Sequence, residues 1–194
     1  MAASKTINKI VPGVATEKIS ISEFSLHFPQ YMVSIETFEA ASLEYYMSQP
    51  SDYKLTVANN SLMPLVISAL KENGLPTSDI DTSKHFFLLT HGGRVAATGG
   101  LEFFEDCGLL RSVTVKKELR KTGLGRMVNE ELEKISRQNG VRSLYLLTTS
   151  AKEFFEKLGY LEIHRSHVPP AIRNTAEFSS LCPCSATLMK KTLL

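Results

Sequence analysis

The period of the hydrophobic pattern changes repeatedly along this chain. YKLTVA (residues 53–58) alternates apolar and polar positions as a half-buried strand does. From Leu62 to Glu72 the apolar positions recur at helical spacing. Asn60 or Ser61 is expected to cap that helix, with Pro64 tolerated in its first turn and Asn73-Gly74 closing it. KHFFLLT (residues 84–90) and RVAATGGLEFF (residues 94–104) read as two strands joined by a turn at His91-Gly92-Gly93, with a bulge expected at Gly99-Gly100. GLLRSVTVK (residues 108–116) is a third strand in that run. A helix is expected over residues 123–138, with Leu124, Met127, Val128, Leu132 and Ile135 facing the core, and Asn139-Gly140 stops it. SLYLLTT (residues 143–149) is apolar enough to be buried on both faces. A short helix over residues 151–160, a strand, a Pro-started helix at residues 170–175 and a last strand at residues 186–190 complete the chain. Strands outnumber helices and the early ones are joined by hairpins. The class is therefore mixed α/β (α+β) with a largely antiparallel sheet.

Residues 1–50 differ from this. They are rich in Ser, Thr and Glu and show no Gly-bounded strand pattern, and one amphipathic helix is expected over residues 35–47. They read as a partly ordered or helical extension, and residues 51–194 as the folded domain, with the hinge at Gln49-Pro50-Ser51-Asp52.

Composition narrows the function. The 22 basic and 20 acidic residues leave a net charge of +2, which argues against nucleic acid or a membrane surface as partner. No apolar run approaches the roughly 20 residues that span a bilayer. The first residues lack the apolar core of a secretory signal. They are acid-poor and carry Lys5, Lys9 and Lys18, as an organelle transit peptide does, but lack its arginines. Three cysteines, Cys107, Cys182 and Cys184, point to free thiols in a reducing compartment, the cytoplasm. Cys182-Pro183-Cys184 falls short of a zinc framework, the histidines form no ligand pair, and no metal is expected.

The chemistry concentrates in LLRSVTVKKELRKTGLGRMV (residues 109–128). A strand leaves the sheet, a loop carries RKTGLG, and a helix begins at its glycines. Gly123 and Gly125 let the backbone approach an anion. The first helical N–H groups have no partner within the helix and lie at the positive end of its dipole. Arg120, Lys121 and Arg126 add charge, so the loop suits a pyrophosphate. A Walker loop would need Lys-Ser/Thr where Arg126-Met127 stands. A dinucleotide fingerprint would need glycine where Val128 stands.

Arg120-x-x-Gly123-x-Gly125 resembles the acetyl-CoA loop of the GNAT superfamily of N-acetyltransferases. The strand at Ser112–Val115, the long helix, the apolar strand after it and A-x-x-F-F-E-K-L-G-Y extend the resemblance over residues 53–194. It implies a sheet that splays between the family's fourth and fifth strands. It also implies acetyl-CoA as co-substrate, with its pantetheine arm on the backbone of Val113, Thr114 and Val115. The pyrophosphate would lie on the loop of Arg120, Lys121, Thr122, Gly123, Leu124, Gly125 and Arg126. LLRSVTV, LYLLTT, FFEKLGY, VPPAIRNTAEFSSLCP and the final MKK more narrowly resemble the branch associated with arsenic-resistance operons, itself similar to the acetyltransferase domain of N-acetylglutamate synthase. The acceptor this implies is the amine of a small amino acid or amino-acid-like compound, organoarsenicals included. A homodimer is expected by analogy with the family.

Acyl transfer to an amine needs a base, an oxyanion donor and an exit for the thiolate. The resemblance places the oxyanion donor at the backbone N–H near Val113. Glu102 is the candidate base; the alternative is a solvated strand carboxylate. Arg111 sits between Leu110 and Ser112 and shares strand parity with Val113 and Val115. It is the candidate for a substrate carboxylate, the alternative being an internal ion pair, for instance with Glu102. Arg173, Ser179 and Ser180 are candidates to close the acceptor pocket. Where many relatives carry a proton-donating Tyr this chain has Phe155, which leaves Thr149, Ser150 and Cys182 as candidate proton donors. An N-acetylglutamate synthase activity would use Arg111 and Arg173 as its carboxylate pair. A silent acyl-CoA-binding module is the remaining alternative, supported by Phe155.

Overall fold

Nine strands in two sheets run through the residues described by the computed structural model, 6–11, 14–20, 52–81 and 83–193. The chain divides into two units, Met1–Ser48 and Gln49–Leu194.

In the first unit, β1 (Thr6–Val11) pairs antiparallel with β2 (Val14–Ser20), Thr6 opposite Ser20 and Val11 opposite Val14. The sequence reading had no strand here. The overlooked signal is Pro12-Gly13, a turn dipeptide between two runs that each carry β-branched residues. The helix expected over residues 35–47 lies outside the described residues.

The second unit follows the expected order. β3 (Tyr53–Val57), α1 (Met63–Glu72), β4 (His85–His91), β5 (Arg94–Phe104) and β6 (Cys107–Val115) come first. α2 (Leu124–Gln138), β7 (Ser143–Thr148), α3 (Lys152–Glu156), β8 (Leu161–Glu162), α4 (Pro170–Arg173) and β9 (Thr187–Thr192) follow. The seven strands of this sheet lie in the order β3-β4-β5-β6-β7-β9-β8, and every neighbouring pair is antiparallel except β6 and β7. That parallel pair has three residue pairs, Cys107–Ser143, Gly108–Leu144 and Leu109–Tyr145. Past Leu109 the two strands part, which is the splay that the resemblance implies.

Each face of the sheet has its own cover. Leu124, Val128 and Leu132 of α2 and Phe155 of α3 pack with Phe87, Leu89, Leu101, Leu110, Leu144 and Leu146. On the opposite face Val66 and Leu70 of α1 meet Phe86 and Leu88, while Ile172 of α4 and Val168 meet Leu109, Tyr145 and Leu188. At about 25 cal/mol per Å² of apolar surface, these two layers carry the hydrophobic stabilisation of the fold.

Two local expectations are corrected. The cap of α1 comes from Asn59, whose side-chain oxygen accepts from the amides of Ser61 and Leu62 at 3.1 and 3.2 Å; the cap residue of the helix, Leu62, has no capping side chain. The buried stripe of α2 includes Asn129, Glu133 and Ser136, with Met127 and Ile135 at its margin. Lys191 of β9 reaches both Glu133 oxygens at 2.7 Å, and Asn129 donates to the same carboxylate at 2.6 Å. The pairing is what allows a buried carboxylate on a core-facing stripe.

Candidate active site

The bulge lies on β6 rather than at Gly99-Gly100 of β5. Thr98 pairs with Thr114 and Gly100 with Arg111, so Ser112 and Val113 together oppose Gly99. Ser112 takes a φ of 57°, a left-handed conformation that non-glycine residues seldom adopt. Gly99 serves the packing instead. A Cβ there would lie 2.5 Å from Leu132 Cδ1 and 3.1 Å from Val128 Cγ1, so its absence lets α2 sit close to the sheet.

The extra residue reverses the strand's parity. Paired residues of a ladder share a face, and Thr98 and Gly100 are on one face, so Arg111 shares its face with Thr114. Val113 and Val115 pack on the α2 side. The expected parity of Arg111 with Val113 and Val115 is thereby overturned.

Arg111 is 3% exposed. Its Nη1 donates to Asp79 Oδ2 at 2.5 Å and Glu102 Oε1 at 2.6 Å; its Nη2 donates to Asp79 Oδ1 at 2.9 Å and lies 2.8 Å from Glu177 Oε2. Nε, buried beside them, has no protein acceptor among the described residues. The internal ion pair is thus present and larger than anticipated. The fork is filled by three of the protein's own carboxylates, and a substrate carboxylate would have to displace one. Burial pulls the Arg111 pKa down, but the Asp79 hydrogen bond, the charge of Glu177 and the Glu102 hydrogen bond outweigh it and raise it above the usual arginine value. Burial raises the Glu177 carboxyl, with Arg111 opposing and Asp79 and Glu102 adding to the rise. Three carboxylates against one guanidinium leave an excess of negative charge on this face.

Asp79 and Glu177 were missed in the sequence because each lies in an irregular segment, Asp79 after α1 and Glu177 at the start of the π-helical turn Glu177–Leu181. A visible signal was one buried arginine in a central strand, which demands carboxylates from elsewhere. The neighbouring candidates are not part of this ion cluster. Arg173 is exposed and donates to the Val168 carbonyl at 3.3 Å. Ser179 is exposed, and Ser180, also exposed, donates to the Ala176 carbonyl at 3.1 Å. Arg111 and Arg173 therefore do not form an open pair for two substrate carboxylates. Cys182 lies 3.6 Å from Glu177 Oε1; burial and then that carboxylate push its thiol up to about 12, which keeps it protonated.

The loop after β6 has the geometry of an anion cradle. Lys121 and Gly123 take φ values of 68° and 92°, and α2 starts at Leu124. No amide from Lys121 to Arg126 donates to a protein acceptor among the described residues, and the first helical bond of this end runs from Met127 N to Gly123 O at 3.1 Å. Successive free amides with the helix dipole behind them suit a phosphate. Thr122 and Arg120 are committed to the protein. Thr122 Oγ1 donates to the Leu119 carbonyl at 2.6 Å, and Arg120 donates to Asn73 Oδ1 at 2.5 Å and to the Val115 carbonyl at 3.3 Å. Gly125 also serves packing. Its φ is not positive, and its missing Cβ leaves space for the Phe154 ring, 3.2 Å away from where that carbon would be.

Thr149 and Ser150 are exposed directly after β7. Thr148 organises this turn, its hydroxyl accepting from Ala151 N at 2.9 Å. Phe155 is buried edge-on against Tyr160, their centroids 5.6 Å apart, and Tyr160 donates to Asn129 Oδ1 at 3.3 Å. Among the described residues no three His, Cys, Asp or Glu side chains are grouped to hold a metal, and no helix is long and apolar enough to cross a membrane.

Known proteins resemble this chain in sequence and in fold. The acetyltransferase (GNAT) family model matches residues 43–160. A Chlorobaculum tepidum protein named an uncharacterized N-acetyltransferase is 29% identical over 116 residues, which cover 59% of this chain and 74% of that one. N-acetylglutamate synthase of Neisseria gonorrhoeae, solved with coenzyme A and L-arginine, superposes with a TM-score of 0.62 at 17% identity over 73% of this chain and 33% of its own. This chain thus spans about a third of that synthase's length. Rv2747 of Mycobacterium tuberculosis, solved with CoA and NLQ, gives a TM-score of 0.61 at 21% identity over 73% of this chain and 99% of its own.

Proposed function

Because this chain belongs to the acetyltransferase (GNAT) family, and so is an acyltransferase with acetyl-CoA as acyl donor, we propose that its acceptor is the primary amine of a small amino-acid-like compound. The observation that carries the site assignment is the run of amides from Lys121 to Arg126, free of protein acceptors at the start of α2. In this reading the pyrophosphate rests there, and the pantetheine arm follows the backbone of Val113, Thr114 and Val115 into the gap between β6 and β7. Residues 1–42 precede the match to the family model.

The neutral amine attacks the thioester carbonyl carbon. A C–N bond forms and negative charge builds on the oxygen, where the Val113 N–H stabilises it. Glu102 takes the proton from the nitrogen, directly or through water. The C–S bond then breaks and CoA leaves as thiolate. Phe155 has no hydroxyl to protonate it, and a thiolate of ordinary pKa, about 8.5, is a serviceable leaving group. Thr149 and Ser150 are the hydroxyls directly after β7.

Arg111 does not receive the acceptor's carboxylate in this mechanism, since its Nη atoms are engaged. The negative excess of Asp79, Glu102 and Glu177 attracts the ammonium end instead, and Arg173, Ser179 and Ser180 form the rim. The tail motif extends the acceptor class to amine-bearing arsenical analogues.

The test is thiol release from acetyl-CoA over a panel of amino acids, their phosphonic and arsenical analogues, and simple diamines. Turnover with an amino-acid-like amine is expected. Turnover confined to diamines would overturn the acceptor class and leave the CoA site standing. Calorimetry showing no CoA binding would overturn the site itself.

A further inference from the structure

We propose that Thr98 is a positioning residue for the acyl transfer, its hydroxyl fixing the bulge peptide so that the Val113 N–H faces the thioester oxygen. The inference rests on the reading above that Val113 is the oxyanion donor.

Thr98 is fully buried on β5. Its Oγ1 donates to the Ser112 carbonyl at 2.8 Å and lies 2.9 Å from Thr114 Oγ1. A hydroxyl has one proton. With that proton on Ser112 O, the Thr114 hydroxyl must donate to Thr98, and the two bonds form a relay that polarises in one direction.

Ser112 C=O and Val113 N–H belong to one planar trans peptide, so they point in opposite directions. A carbonyl held toward Thr98 of β5 sends the Val113 N–H away from β5. On that side the β6–β7 ladder has already ended at Leu109 and Tyr145. The amide therefore faces the gap between the strands. The bulge makes this lock necessary. Ser112 is in a left-handed conformation that an L-residue does not favour, and without a partner for its carbonyl the peptide has a competing orientation available. A hydrogen bond from a rigid neighbouring strand removes that freedom before substrate arrives, as preorganised stabilisation of an oxyanion requires.

The experiment compares Thr98→Val, which keeps the shape and removes the hydroxyl, with Thr98→Ser, which keeps the hydroxyl. Removing an oxyanion donor outright costs about 100-fold in kcat, and loosening one is expected to cost about tenfold. Thr98→Val should lower kcat by that amount while the Kd for CoA stays within about twofold, and Thr98→Ser should stay within about threefold of wild type. Equal kcat in wild type and Thr98→Val overturns the proposal. So does a parallel loss of kcat and CoA affinity, which a merely structural role would produce. If Thr98→Val does not fold, Thr98→Cys makes the same comparison with a weaker donor of similar size.

A spectroscopic arm separates the two layers of the argument. Acetyl-CoA labelled with heavy carbon at its thioester carbonyl, bound without acceptor, should show a lowered carbonyl stretch in wild type and a smaller shift in Thr98→Val. No lowering in wild type overturns the Val113 reading. A lowering that persists unchanged in Thr98→Val overturns only the role of Thr98.

Discussion

Arg111 and Asp79 meet in two parallel hydrogen bonds, Nη1 to Oδ2 at 2.5 Å and Nη2 to Oδ1 at 2.9 Å, although they are 32 positions apart in the chain. The guanidinium thereby ties the segment after α1 to the middle of the sheet. Replacing it with the apolar Arg111→Met leaves Asp79, Glu102 and Glu177 buried together without a counter-charge. Breaking one side of a buried ion pair costs about 3–5 kcal/mol, so a large fall in Tm is expected at neutral pH. The deficit should shrink on acidification, because protonation removes the repulsion. Chemical denaturation at neutral and mildly acidic pH measures both.

Glu177 gives a second, separable pH effect. Its folded-state pKa is raised by burial above the usual value near 4.5, so the native state holds this proton more tightly than the unfolded chain. Its contribution to stability is therefore full below that usual value and falls as pH rises through the raised one. Glu177→Gln cannot titrate. The variant should gain on wild type as pH rises across this window and then run parallel to it. Melting curves at half-unit intervals would show a constant difference if the carboxyl were unperturbed.

Gly99 and Leu132 form a contact that tolerates no added carbon. Gly99→Ala places its Cβ 2.5 Å from Leu132 Cδ1, which forces α2 off the sheet or Leu132 off its rotamer. Overpacking of this kind costs about 1–3 kcal/mol. Adding Leu132→Ala to Gly99→Ala should cost less than the sum of the two single changes. Strict additivity in a denaturant-based double-mutant cycle would mean that the helix relaxes elsewhere.

Gly123 tests the cradle without disturbing the core. Its φ is 92°, and nothing lies within 4 Å of where a Cβ would go. Gly123→Val therefore meets no clash, but it cannot hold the left-handed backbone that turns the loop amides outward. The affinity for CoA, measured by calorimetry, should fall about tenfold or more, as expected when charge-assisted amide contacts are lost, while Tm changes little. Unchanged affinity would place the pyrophosphate elsewhere.

Much of the second unit was legible because its elements declare their periods. The strongly apolar SLYLLTT, the two hairpin strands around Gly92-Gly93 and the long amphipathic helix before Asn139-Gly140 all stand where periodicity puts them. The bulge was assigned to the wrong strand because glycine signals both irregular backbone and close approach. Gly99 has the second role, while the irregular residue is Ser112, whose type gives no warning. One shifted residue then misplaced Arg111 on its strand. Asp79 and Glu177 escape notice for another reason: what makes them matter is proximity to Arg111, 32 positions after the one and 66 before the other, which no local pattern encodes. The hydroxyl relay of Thr98 and Thr114 looked like ordinary β-branched strand content.

The three residue pairs between β6 and β7, with the Arg142 and Ser143 amides donating to the Asp106 carbonyl at 2.7 and 3.3 Å beside them, join two portions of the sheet, β3–β6 on one side and β7, β9 and β8 on the other. In the proposed placement, a thioester donor beyond them would lie in the seam itself and touch both portions. On that placement, cofactor occupancy and the cohesion of the sheet would be one equilibrium: whatever strengthens the grip on CoA would also fasten the halves together, and product release would loosen the same joint.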